Sequence, residues 1–216
     1  MRRFTLFASL GLLASATAAW AQDLATAPAE AWVIGPIIRG KNYSVGMPLR
    51  PDRARRGWSF EFPYPDVQAG HVHYVTLDAG SLAGKSRIVM RYRIDASRGT
   101  RFVARENPEL PATVSLFFQR QGDSWSGRRH PYHRWWSPTA TMDQLAPGEH
   151  QMTVSLNDPS WTSVNGPLAS SSPRAFRDAL VEADRIGLVF GSAAGRGHGV
   201  YATRSARFTL LSYRVE

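Results

Sequence analysis

The stretch Arg87-Ile88-Val89-Met90-Arg91-Tyr92-Arg93-Ile94 places apolar side chains at 88, 90, 92 and 94 against arginines at 87, 91 and 93. Successive side chains leave a strand on opposite faces, so a repeat of two marks a strand with one face buried and the other in water. The same period recurs on both sides of it, at Trp58, Phe60 and Phe62, at Val72 and Tyr74, at Val114, Leu116 and Phe118, at Met152, Val154 and Leu156, and at Phe208 and Leu210. Ile186 to Phe190 is instead a continuous apolar run, as expected of a strand buried on both faces. Turn-forming triplets separate these segments, including Asp78-Ala79-Gly80, Ser97-Arg98-Gly99 and Ala146-Pro147-Gly148.

One helix is expected. Ser172 stands at its cap, Pro173 at its first position, and Phe176, Ala179, Leu180 and Ala183 mark one face. Many short strands, polar turns and one short helix predict an all-β antiparallel sandwich or jelly roll, in which each sheet buries one face against the other. A parallel α/β fold needs many more helices.

The chain opens with Met1-Arg2-Arg3, an apolar run from Phe4 to Leu13 and small residues up to Ala19-Trp20-Ala21, the order of a cleavable secretory signal peptide. The apolar run is shorter than the roughly 20 residues that span a bilayer. The expected organisation is a signal peptide over residues 1–21, a flexible Ala-rich leader over 22–31 and a single β-sandwich domain over 32–216, secreted or periplasmic. The chain contains no cysteine, which excludes disulfides, thiolate metal sites and a cysteine nucleophile. Its formal charge is +9, nearly all of it on arginine, because Lys41 and Lys85 are the only lysines. Arginine pairs bidentately with carboxylate, phosphate or sulfate, so anionic partners suit the chain better than cationic ones. With no long basic block, the charge reads first as a solvated basic surface. Nucleic acid is not an expected partner of an exported protein.

The C-terminal order Phe176-Arg177-Asp178-Ala179-Leu180, then Arg185-Ile186-Gly187-Leu188-Val189-Phe190-Gly191, then Ala206 to Val215, resembles the closing elements of galactose-binding-like β-sandwich domains. That superfamily includes many non-catalytic carbohydrate-binding modules. The resemblance implies a helical turn leading into a strand that carries Ile-Gly, and a final strand closing a sheet. It carries over no ligand residue, because such modules vary their binding residues on a common scaffold. Structural calcium is common by that resemblance, but no clustered Asp-x-Asp pattern is present to hold it.

Recognition-type residues are densest between Phe117 and Trp136. A sugar offers an apolar C–H face and a rim of hydroxyls, so its binder needs flat aromatics and hydrogen-bonding partners. Trp125, Tyr132, Trp135 and Trp136 are the candidate platform, Arg128, His133 and Arg134 the candidate polar partners, and His198 a contributor from the Gly191–Gly199 loop, read as mobile at the site edge. The alternative for any one of these tryptophans is burial in the core. Trp161 is read as core.

His71-x-His73 and His130-x-x-His133 have spacings that metal ligands use, but neither has the neighbouring acid and further His such a site needs. No metal or cofactor is expected. The common motif-bearing hydrolases are not indicated, since there is no nucleophile elbow and no H-E-x-x-H. The leading functional reading is a non-catalytic glycan-binding domain. A small glycan-active hydrolase or lyase drawing on Asp123, Asp158, Glu61, Tyr132 and His198 is the second reading, and an envelope structural or interaction protein the third.

Overall fold

Alternation builds the first sheet and double burial the second. The computed structural model describes residues 22–64 and 70–216, so the signal peptide expected over residues 1–21 lies outside the described residues. The two large sheets use β1 (Trp32–Gly35), β2 (Trp58–Glu61), β3 (Tyr74–Asp78), β4 (Arg87–Ala96), β5 (Thr113–Arg120), β6 (Arg134–Trp136), β7 (Gly148–Ser155), β8 (Ala183–Gly191) and β9 (Ala206–Val215). The first sheet runs β7-β4-β9-β2 and ends on a two-residue strand, Asp52–Arg53. The second runs from Thr162–Ser163 through β6-β5-β8-β3-β1. Their pairings are antiparallel throughout.

The sheets meet through aromatic side chains, making an antiparallel β-sandwich. Phe60 of β2 and Phe208 of β9 both pack edge-on against Phe190 of β8, with ring centroids 5.8 Å apart in each pair. Trp32 of β1 lies 4.9 Å from Trp58 of β2. Removing such a side chain from water contributes roughly 2–3 kcal/mol, so this interleaving is the main source of cohesion in a chain without disulfides. On β4, Ile88, Met90, Tyr92 and Ile94 point into this core and Arg87, Arg91, Arg93 and Asp95 out of it.

The second sheet is different because its outer face is also covered. Val114, Leu116 and Phe118 of β5 enter the main core, while Phe117, with Tyr74 and Val189, forms a second apolar cluster on which Trp125 and Trp136 pack. The unbroken apolar run at 186–190 is the sequence trace of this double burial.

Helix α1 (Pro173–Val181) begins as expected after Ser172, although the Ser172 hydroxyl makes no capping bond. It leads into β8, which carries Ile186-Gly187, and β9 follows as the last strand. This is the order that the galactose-binding-like resemblance implies. Ala183 is not on the helix face, because the helix ends at Val181 and Ala183 opens β8. β3 starts only at Tyr74, and Val72 makes an isolated bridge to Val200.

Residues 22–31, expected as a flexible leader, lie against the first sheet. Gln22–Asp23 pairs with the end of β9, Ala25 and Ala29 are buried, and an Asp23 carboxylate oxygen accepts the Tyr213 N–H at 2.8 Å and the Ala25 N–H at 3.1 Å. Small alanines, read as a sign of disorder, are here what lets the segment lie close against the sheet.

Candidate ligand-binding groove

The site is organised by one buried carboxylate. Gln119 of β5 and Arg134 of β6 are direct cross-strand neighbours at the end of their ladder. Both reach Asp123 in the loop that joins the two strands. Gln119 Nε2 donates to Asp123 Oδ2 at 3.0 Å, and Arg134 Nε lies 2.7 Å from the same oxygen. The Arg134 N–H is not well aligned with that oxygen, so the contact is an ion pair more than a directed hydrogen bond. The Asp123 side chain is fully buried.

The other carboxylate oxygen, Oδ1, accepts the Trp125 N–H at 2.9 Å. This two-residue span is an Asx turn, and it holds Trp125 at φ 64°, a left-handed conformation that a bulky side chain adopts at a cost of about 1–2 kcal/mol. The indole is thereby set against the sheet. Tyr74 meets it edge-on at 5.0 Å, and the Arg134 guanidinium carbon lies 5.0 Å from the ring centroid. Burial raises the Tyr74 phenol above its usual range.

Facing this loop is a hairpin made by Ile37–Ile38 and Lys41–Asn42. Its two turn residues, Arg39 and Gly40, both have positive φ, 52° and 78°, as a two-residue primed turn requires. Asn42 Nδ2 donates to the Ile34 carbonyl at 2.8 Å and the Ser44 hydroxyl to the Gly35 carbonyl at 2.6 Å, tying the hairpin base to β1. Between hairpin and loop lies a groove of about 950 Å³, lined by Ile37, Arg39, Lys41 and Tyr43 on one side and Asp123, Ser124, Trp125, Ser126 and Arg129 on the other. Ile37 and Tyr43 stay 42% and 40% exposed, and Lys41 Nζ sits 5.3 Å from the Tyr43 ring centroid.

Of the eight residues expected at the site, Trp125 alone lines this groove. Arg134 and Trp136 lie behind it, Arg134 only 6% exposed and engaged with Asp123 and Trp125, Trp136 packed in the outer cluster. Trp135 is corrected from platform to core: it is 0% exposed, meets Phe176 edge-on with ring centroids 4.9 Å apart and donates from Nε1 to the Tyr132 carbonyl. Alternation on β6 decides this, since neighbouring residues face opposite sides of the sheet. Tyr132 packs on Trp135, His133 against His130 with ring centroids 4.4 Å apart, and Arg128 is exposed. Trp161 is core, as read.

His198 belongs to a separate cluster. Its Nδ1 lies 2.7 Å from Glu106 Oε1, beside the buried His71 and His73, whose rings are 4.6 Å apart. The glycine loop is packed, not mobile at an edge: a Cβ on Gly197 would stand 2.3 Å from the Tyr74 hydroxyl, and one on Gly199 would stand 2.8 Å from His73 Nε2. His73 Nδ1 donates to the Gly197 carbonyl at 2.6 Å. Burial first, then the neighbouring His71, lowers the His73 pKa to about 4, so it is neutral at pH 7. Among the described residues no group of three or more His, Cys, Asp or Glu is arranged to hold a metal ion.

The possible catalytic acids do not converge. Glu61 is on the outer face of the first sheet, paired with Arg207 at 2.6 Å, while Asp123 is on the second sheet and Asp158 caps a turn through the Ser160 N–H. Arg39, Lys41 and Tyr43 were missed because the hairpin has no alternation and its turn is Arg-Gly in place of Asn-Gly. The available signal was that Arg39-Gly40 follows two isoleucines and precedes Lys41-Asn42, a two-residue loop between short extended arms.

No family model matches the sequence, and no curated protein sequence matches it. Among solved structures, the chain is similar to a carbohydrate-binding module specific for non-crystalline cellulose (CBM28), at 12% identity over 87% of each chain and a TM-score of 0.44. A likeness at that score carries no argument about ligand or site. No helix among the described residues is long and apolar enough to cross a membrane.

Proposed function

We propose that the protein is an exported, non-catalytic glycan-binding domain and that the glycan lies in the groove between the Ile37–Asn42 hairpin and the loop carrying Asp123 to Arg129. The observation that carries this reading is the fixation of Trp125: an Asx turn, a buried ion pair and an edge-on tyrosine hold an indole part-exposed in a groove whose opposite wall presents Tyr43. Two aromatic surfaces suit the C–H faces of sugar rings, and Arg39, Lys41, Arg129, Ser124 and Ser126 suit their hydroxyls. Because the groove is already built, little ordering cost attends binding. Among the described residues Asp123 is the only carboxylate lining the groove, and it is fully engaged, which favours binding over glycoside hydrolysis, where two carboxylates flank the scissile bond. Export is supported by the order of residues 1–21.

Arg39→Asn separates binding from folding. Asparagine tolerates the left-handed turn, so the melting temperature should stay within about 2 °C of wild type. Loss of a charged hydrogen bond of about 1.5 kcal/mol or more should weaken glycan binding by roughly tenfold or more in calorimetric titration. A wild-type protein that binds no neutral or acidic oligosaccharide, or a variant that binds as tightly as wild type, contradicts the assignment.

A further inference from the structure

The outward face of the first sheet holds a second concavity of about 810 Å³, chemically unlike the groove. Six arginines line it, Arg53, Arg55, Arg56, Arg91, Arg93 and Arg207, against two carboxylates, Asp95 and Glu149. Its shape follows from register. One cross-strand row runs Asp52, Ser59, Thr209, Arg93, Glu149, so short hydroxyl side chains occupy the middle of the sheet and long ones its flanks. Short at the centre and long at the sides makes a trough. From Arg53 to β4 it crosses three strand spacings of about 4.8 Å, or roughly 14 Å.

The arginines differ in their engagement. Arg93 pairs with Asp95 at 2.9 Å, Arg207 with Glu61 at 2.6 Å and Arg91 with Glu149 at 3.4 Å. These are exposed pairs, the kind worth at most about 1 kcal/mol, so a polyanion can displace them. Arg53, Arg55 and Arg56 are exposed and make no ion pair among the described residues. Among the described residues, Ala54 and Leu211 are the only apolar ones lining the trough, and none lining it is aromatic. A membrane surface would call for exposed apolar anchors, and single-stranded nucleic acid for a stacking platform.

We propose that this trough is a second binding site, for a polysaccharide chain bearing carboxylate or sulfate groups, held by Arg53, Arg55, Arg56, Arg91, Arg93 and Arg207. It acts by charge where the Trp125 groove acts by stacking, and it stands whether or not the groove binds a sugar. Guanidinium groups spaced along an open trough match repeated anions on a linear chain, to which they pair in bidentate fashion.

The test compares dextran sulfate with dextran, the same backbone with and without charge, and adds polygalacturonate as the carboxylate probe. The purified protein should bind dextran sulfate or polygalacturonate at least tenfold more tightly than dextran, with that affinity falling at least tenfold between 50 and 200 mM NaCl as charges are screened. The triple variant Arg53→Ser, Arg55→Ser, Arg56→Ser should keep its melting temperature and lose at least tenfold in polyanion affinity, while Arg39→Asn should leave that affinity unchanged. Equal affinity in the triple variant, a loss shared by Arg39→Asn, or stronger binding to vesicles containing phosphatidylserine or to DNA would overturn the proposal.

Discussion

Asp123 is the residue on which the groove depends. Its carboxylate serves three partners at once, and one of them, Arg134, is a guanidinium buried beneath an indole. Asp123→Asn keeps oxygen and amide groups of similar size but strands the Arg134 charge. Removing one member of a buried pair costs about 3–5 kcal/mol, so the urea midpoint should fall sharply with little change in slope, and Trp125 should lose its fixed orientation. A midpoint shift corresponding to less than about 1 kcal/mol would show the pair to be solvated. In the sequence, Asp123 stood among possible catalytic acids. What a linear reading lacks is burial: a carboxylate two residues before a tryptophan has the same letters whether it performs chemistry or holds a turn.

At the scale of elements, legibility followed periodicity. β4 was plain because apolar residues at 88, 90, 92 and 94 alternate with arginines at 87, 91 and 93, broken only by Val89, and β8 because both its faces are buried. The Ile37–Asn42 hairpin and the segment from Gln22 to Ala31 were not legible, since each is held by hydrogen bonds to strands distant in sequence and not by an apolar stripe of its own. The approach to β3 and the glycine loop form a further such unit, closed over His71 and His73. Arg105 and His198 are the other charged or titratable groups acting on His73. The folded pKa of His73, about 4, is below the unfolded value of 6.5, so its neutral form stabilises the fold fully above pH 6.5. That contribution is lost as pH falls from 6.5 towards 4, by up to roughly 3 kcal/mol. His71 shifts in the same direction, mainly through burial. Chemical unfolding across this window should show stability falling on acidification, with a smaller slope in His73→Gln; an identical slope in the variant would remove His73 from the account.

For the molecule as a whole, the sandwich has two unlike outer faces. The first sheet turns out arginines and small hydroxyls, with no aromatic among the described residues lining its trough, and the second is covered by a loop and a hairpin that bring tryptophan and tyrosine together. Composition records the excess of arginine but cannot assign it to a face, whereas alternation on β4 already sent Arg87, Arg91 and Arg93 outward. The density of tryptophan between Phe117 and Trp136 could not say which indoles are buried: alternation along β6 turned Trp135 into the core, and of the tryptophans named there Trp125 lines the proposed groove. The central claim is therefore most directly tested by the indole N–H signals of the protein, assigned by nuclear magnetic resonance and followed as a glycan found to bind is added. The Trp125 signal should move in proportion to binding while those of the buried Trp32, Trp58, Trp135 and Trp161 stay in place. Saturation with the Trp125 signal unmoved would place the glycan elsewhere and contradict the groove as its site.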